Sequence, residues 1–173
     1  AAKAALDKAR AQVADALGAS DPGEIFFTSG GTEADNWALL AGAESMRRRG
    51  KHIISSLVEH DAVRKALDEL ESRGFEVTRI APEDNGSISA GSVAEALRKD
   101  TVLVSLMMVN NETGAITDIA AIAREIKKSG SPALLHTDAI QAFLKVPFSA
   151  KTLGADLISV SGHKIHAPKG VGA

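Results

Sequence analysis

The chain has 173 residues, 45% hydrophobic and 24% charged, enough for one domain with a full core. A formal net charge of −2, with no basic block beyond Arg47-Arg48-Arg49, argues against a nucleic-acid surface. With no cysteine there is no disulfide framework, thiolate metal site or cysteine nucleophile within these residues, and no apolar run approaches a membrane span.

In chain order, residues 1–18 carry Leu6, Val13 and Leu17 at helical spacing and close on Gly18, which predicts an amphipathic helix. Asp21-Pro22-Gly23 is a turn, and residues 24–28 read as a short strand. Ser29-Gly30-Gly31 follows, then a helix over 32–49, with Thr32 and Asp35 spaced as a capping box. Ile53 and Ile54 lie in the next strand, residues 61–73 form a helix ended by Gly74, and residues 75–80 alternate as a strand with one exposed face. Asn85-Gly86 is a turn, and Ser92 is expected to cap a helix reaching residue 99.

Residues 101–108 are the most apolar run and read as a central strand buried on both faces. A polar break at 110–114 precedes a helix from Thr117 or Asp118 to residue 128. Residues 133–136 are a strand, 149–153 one helical turn, and 156–160 a last buried strand. Strands alternating with helices predict an α/β fold in three layers, a mostly parallel sheet with helices on both faces. The ligands of such sheets gather beyond the carboxyl ends of the strands, where each polar motif of this sequence falls. Both ends look cut, so the chain is expected to be a single domain from within a longer protein.

Each motif has a bland and a chemical reading. The two glycines of Ser29-Gly30-Gly31, before a helix, allow a phosphate to meet free N–H groups, or make a tight turn. The spacing fits neither a Walker A loop nor a dinucleotide fingerprint. His60, at a strand end, could stack on a planar ligand and relay protons, or only start a helix. Asn110 and Asn111 could bond a ligand or shape a turn. His136 and Asp138 alternate onto one strand face, where a carboxylate could keep a pyridine nitrogen protonated; a metal pair completed by His60, His163 or His166 is the rival. Gln141, three residues on, could reach the same ligand. Lys164 ends the last strand beside Ser161 and His163. There the sheet wall is expected to withdraw water from the ammonium and favour a neutral amine for Schiff-base chemistry.

Together the ordered runs TSGGTEADN (28–36), EH (59–60), VNNETG (109–114), HTDAIQ (136–141) and SGHKIHAPKG (161–170) resemble the class V aminotransferase family, and within it the cysteine desulfurase branch. The resemblance spans nearly the whole chain and implies the large domain of a fold-type-I enzyme dependent on pyridoxal 5'-phosphate. It implies that Lys164 carries the cofactor, Asp138 pairs with its ring nitrogen, Gln141 bonds its phenolic oxygen, and His60 stacks on the ring. Asn111 would sit close to ring and substrate, and Gly31, Thr32, Ser161 and His163 would hold the phosphate. No metal is implied.

The reaction implied is conversion of L-cysteine to L-alanine, with sulfur passed to an enzyme cysteine as a persulfide and on to a scaffold or carrier protein for iron–sulfur assembly. A homodimer is implied; the lack of a membrane-span or signal-peptide pattern leads to the expectation of a cytoplasmic protein with no membrane partner, and the net charge to that of no nucleic-acid partner. The small C-terminal domain, the mobile-loop cysteine, the substrate-binding arginine and a partner-subunit phosphate contact would lie outside these residues. His166-Ala167 departs from the family's usual Tyr-Gly. A selenocysteine lyase or another class V activity is the alternative within the fold; a non-catalytic α/β binding or assembly module is the alternative outside it.

Overall fold

A computed structural model describes residues 1–173. Five parallel strands form one sheet: β1 (His52–Ser56), β2 (Glu76–Ile80), β3 (Thr101–Met107), β4 (Leu134–Asp138) and β5 (Leu157–Ser159), in the spatial order β2-β1-β3-β4-β5. The helices are α1 (Ala2–Leu17), α2 (Gly31–Met46), α3 (Asp61–Ser72), α4 (Ala90–Ala96), α5 (Ile119–Ser129) and the single turn α6 (Ala150–Leu153). No helix is long and apolar enough to cross a membrane.

Period-2 alternation along the central strands sends neighbouring side chains to two separate cores. Ile53 and Leu103 join Leu39 and Ala43 of α2 and Val63, Ala66, Leu67 and Leu70 of α3. Ile54, Val104, Leu106 and Leu135 face the other way, onto α1, Val93 of α4, Ile119, Ile122 and Ile126 of α5, and Leu153 of α6. Burial on both faces explains why β1 and β3 are buried throughout. The three-layer parallel architecture expected from the sequence is the one observed.

The helices start and stop for local reasons. His60 Nδ1 accepts from the Ala62 N–H at the head of α3, and Asp118 Oδ1 accepts from the Ala121 N–H at 2.8 Å at the head of α5. Helix α5 closes on Gly130, whose φ of 69° suits glycine. Helix α1 is the least anchored: only Ala14 and Leu17 are buried, and Leu6 is exposed.

Four local expectations are corrected. Residues 24–28 are not a strand of the sheet: Pro22–Glu24 is a 3-10 turn, and only Thr28 forms a bridge, antiparallel to Gly172. Ser89, not Ser92, caps α4, accepting from the Ser92 N–H at 3.0 Å, and the helix ends at Ala96. Helix α2 ends at Met46, before the three arginines. Thr32 and Asp35 make no capping box; Gly30 precedes the helix with no side-chain cap, and Asp35 is turned into the protein.

At the amino-terminal edge of the sheet, buried His52 is bonded on both sides, Nδ1 to Thr101 Oγ1 and Nε2 to Thr78 Oγ1, each at 2.8 Å. Thr101 Oγ1 also accepts from the Arg98 N–H. Burial holds the imidazole below its ordinary range, so it is neutral. Thr101→Val leaves a ring nitrogen and a backbone N–H unpartnered in a buried place. Urea unfolding is expected to register a loss of about 1–3 kcal/mol; an unchanged midpoint and slope contradicts this.

Candidate active site

The carboxyl ends of β3, β4 and β5 open into a cleft of about 460 Å³ closed on one side by the start of α2. Its lining includes Gly31, Thr32, His60, Asn111, Asp138, Gln141, His163 and Lys164. Ser161 is absent from the lining: it is buried just below, its Oγ 2.8 Å from His163 Nδ1. Sequence reasoning also missed Lys169, Glu33 and Asp35, which border the same cleft.

Helix α2 brings its first turn unusually close to the strand ends. A Cβ added at Gly31 would overlap the Ile140 side chain and stand 3.2 Å from Ser161 Cβ. The first N–H groups of a helix have no intrahelical partner, and here no side chain caps them. The Glu33 carboxylate instead folds back to accept from the Ser29 N–H at 2.6 Å. The open N–H groups and the helix dipole suit an anion.

The two asparagines divide the roles left open by the sequence. Asn110 is the turn residue: its Oδ1 accepts from the Glu112 and Thr113 N–H groups, and its Nδ2 donates to Val58 O. Asn111 faces the cleft. His60 serves both readings, lining the cleft and capping α3. Because Nδ1 accepts from Ala62, a neutral His60 ring carries its proton on Nε2. Gln141 lies on the rim, its Oε1 accepting from Lys145 Nζ at 3.0 Å.

Asp138 ends β4, nearly buried, with Oδ1 accepting from the Ile140 N–H at 2.9 Å. Burial raises its carboxyl from the ordinary value, while the Ile140 N–H and nearby His60 pull it down. Lys164 stands on a 3-10 turn, Gly162–Ile165, which follows β5 after Val160 and Ser161. The lysine is exposed in this chain, so the desolvating wall expected from the sequence is not present around it. The turn closes at His166, which adopts a left-handed φ of 64° where histidine is tolerated better than most side chains.

His136 does not face the cleft as a ligand. Both ring nitrogens are engaged at 2.9 Å, Nδ1 with Ser105 Oγ and Nε2 with Ser159 Oγ. Complete burial pushes its pKa down to about 3, so it is neutral. The metal-pair reading of His136 and Asp138 therefore lacks a free imidazole nitrogen.

Two further carboxyls are buried at or near the cleft. Glu59 Oε1 accepts from Ser56 Oγ at 2.5 Å and from the Met107 N–H at 3.1 Å, tying the end of β1 to β3, while Oε2 has no partner. Asp35 is fully buried, with neither oxygen hydrogen-bonded. Burial is the main cause that pushes each up to about 8. The Asp35 position was detectable in principle: it lies on the stripe 35, 39, 42, 43 that α2 buries, where a carboxylate is out of place.

The whole chain, residues 1–173, matches the family Aminotransferase class-V. The chain belongs to the class-V aminotransferase family. It is 49% identical over 172 residues to cysteine desulfurase IscS of Escherichia coli O139:H28, across 99% of this chain and 42% of that protein. A NifS-like protein of known structure superposes with a TM-score of 0.92 at 41% identity, over 96% of this chain and 45% of the other. The structure of SspA in complex with cysteine gives a TM-score of 0.90 at 38% identity, over 99% of this chain and 48% of the other. The chain thus spans less than half the length of these relatives.

The buried acids set a pH dependence with a definite sign. Glu59 has an ordinary value of 4.5 and about 8 in the fold, so between the two the folded chain holds a proton that the unfolded chain releases. Its contribution is fully present below the unfolded value and is lost as pH rises through about 8. Chemical unfolding from mildly acid to mildly alkaline pH should show stability falling, and Glu59→Gln should flatten part of that fall. Stability that rises steadily across this range is the contrary result.

Proposed function

We propose that this chain is the cofactor-binding part of a cysteine desulfurase-like enzyme that uses pyridoxal phosphate. The observation that carries the reading is one cleft bordered by three groups of the required chemistry. An uncapped helix start suits a phosphate, a strand-end carboxyl suits a pyridine nitrogen, and a lysine amine suits an aldehyde. The residues present fit the cofactor. When bound, it supplies the electron sink that lets an amino acid lose a substituent from its side chain.

The chain's own residues then have separate tasks. The N–H groups at Gly31 and Thr32 hold the phosphate, with His163 beside them and Ser161 fixing the His163 ring through its 2.8 Å bond. Asp138, steadied by the Ile140 N–H, holds the ring-nitrogen proton, and Lys164 supplies the covalent anchor. His60 presents a flat ring whose Nε2 proton is free to pass to or from the ligand. Asn111 and Gln141 orient the ligand's polar edge.

The substrate in this reading is L-cysteine, an assignment supported by likeness to a protein whose structure contains cysteine. The products are L-alanine and a persulfide on an enzyme cysteine. Residues 1–173 form a single large domain, and the small domain and sulfur-carrying cysteine belong to the remainder of a longer, cytoplasmic, homodimeric enzyme. A sulfur-accepting protein for iron–sulfur assembly is its partner.

Incubation with pyridoxal phosphate, borohydride reduction and peptide mapping should place the label on Lys164, not on Lys145, Lys151 or Lys169. Label concentrated on another lysine overturns the assignment. In the longer enzyme, Asp138→Asn should lower turnover far more than cofactor content, whereas near-normal turnover would return Asp138 to a packing role. The 173-residue chain contains no cysteine, so it should release no alanine or sulfide from L-cysteine beyond a free-cofactor blank. Release above that blank, abolished by Lys164→Ala, contradicts the expectation.

A further inference from the structure

Asp35 has no task in the scheme above, yet the fold keeps a carboxyl fully buried with both oxygens unpartnered. Its Oδ1 lies 3.7 Å from His136 Nε2, a contact with a neutral ring and not an ion pair. The Ser159 hydroxyl from β5 is near enough to ease the carboxyl slightly, but is already bonded to His136 Nε2 at 2.9 Å. Asp138 of β4, which lines the same cleft, and Glu59 of the segment after β1 are acids whose negative charge opposes ionisation of Asp35. No cation relieves it: Lys164 and Lys169 stand exposed at the rim.

We propose that Asp35 is a positioning residue for Asp138, holding a proton at the wall of the cleft and thereby setting the charge that Asp138 presents to the ligand. Two neighbouring buried carboxyls do not ionise together without cost. The one with a hydrogen-bond donor goes first, and that is Asp138, which has the Ile140 N–H, and which also has the charge of a protonated His60 nearby. Asp35, with neither, stays an acid at neutral pH and ionises only after its partner. The negative charge bordering the cleft is then carried at Asp138, at the end of β4, and not at Asp35 on α2. An α2 helix carrying asparagine there would keep the shape but lose the coupling.

This inference rests on Asp138 being the cofactor's ring-nitrogen partner, but its test does not need the cofactor. Carbon-13-labelled aspartate carboxyls would be followed by NMR against pH in the cofactor-free chain. One aspartate should remain protonated at neutral pH and titrate at about 8. Its signal should vanish in Asp35→Asn and persist in Glu59→Gln. In Asp138→Asn its midpoint should drop by about one pH unit or more, because the opposing charge is gone. Absence of any protonated aspartate at neutral pH, survival of the signal in Asp35→Asn, or an unmoved midpoint in Asp138→Asn overturns the proposal. Should Asp35→Asn fail to fold, the wild-type and Asp138→Asn titrations decide alone. Pyridoxal phosphate uptake, scored separately by absorbance, reports on the cofactor reading independently.

Discussion

The close seating of the first turn of α2 on the ends of β4 and β5 governs the rest of the site. Gly31 permits it, since any Cβ there would collide with Ile140 and press on Ser161. That contact brings unpaired N–H groups to the mouth of the cleft, and it also drives the next turn of the helix down onto the sheet. Leu39 and Ala43 gain a core from this, and Asp35 is carried below the surface with them. An open helix start and a buried acid are therefore two consequences of one packing arrangement.

The sheet beneath is more polar than its position suggests. Ser105, His136 and Ser159 form a continuous buried row across β3, β4 and β5, and Ser55 of β1 extends it by donating to Ser105 O. Every member is satisfied, which is what makes such a row tolerable in a low-dielectric interior. The carboxyls beside it are less well served and respond by holding protons. Cofactor chemistry of the proposed kind needs a localised negative charge at one strand end, and partial neutralisation of its neighbours leaves Asp138 as the natural carrier.

Much of this was legible in the sequence because it is local. Alternation of apolar runs with helical stripes gave the layers, and strand-end polar motifs gave the cleft, since Lys164, Asp138 and His60 all follow runs whose direction in a parallel sheet is fixed. What was lost depends on partners distant in sequence. Residues 24–28 carry strand-like residues, yet only Thr28 finds a bridging partner, Gly172. Ser89 and Ser92 are equally good caps by type, and the backbone chose the earlier one. His136 looked like a ligand because nothing local reveals that serines from two other strands occupy both its nitrogens. Asp35 looked like part of a capping box, although its place on the apolar stripe of α2 hinted otherwise.

Whether the cleft receives a phosphorylated pyridine aldehyde as proposed is decided by a crystal structure of the chain with pyridoxal phosphate. Density joined to Lys164 is expected, with the phosphate against the N–H groups of Gly31 and Thr32 and the ring nitrogen facing the Asp138 carboxylate. A cofactor found in another orientation, with its phosphate away from α2 and its ring nitrogen away from Asp138, would contradict the proposal.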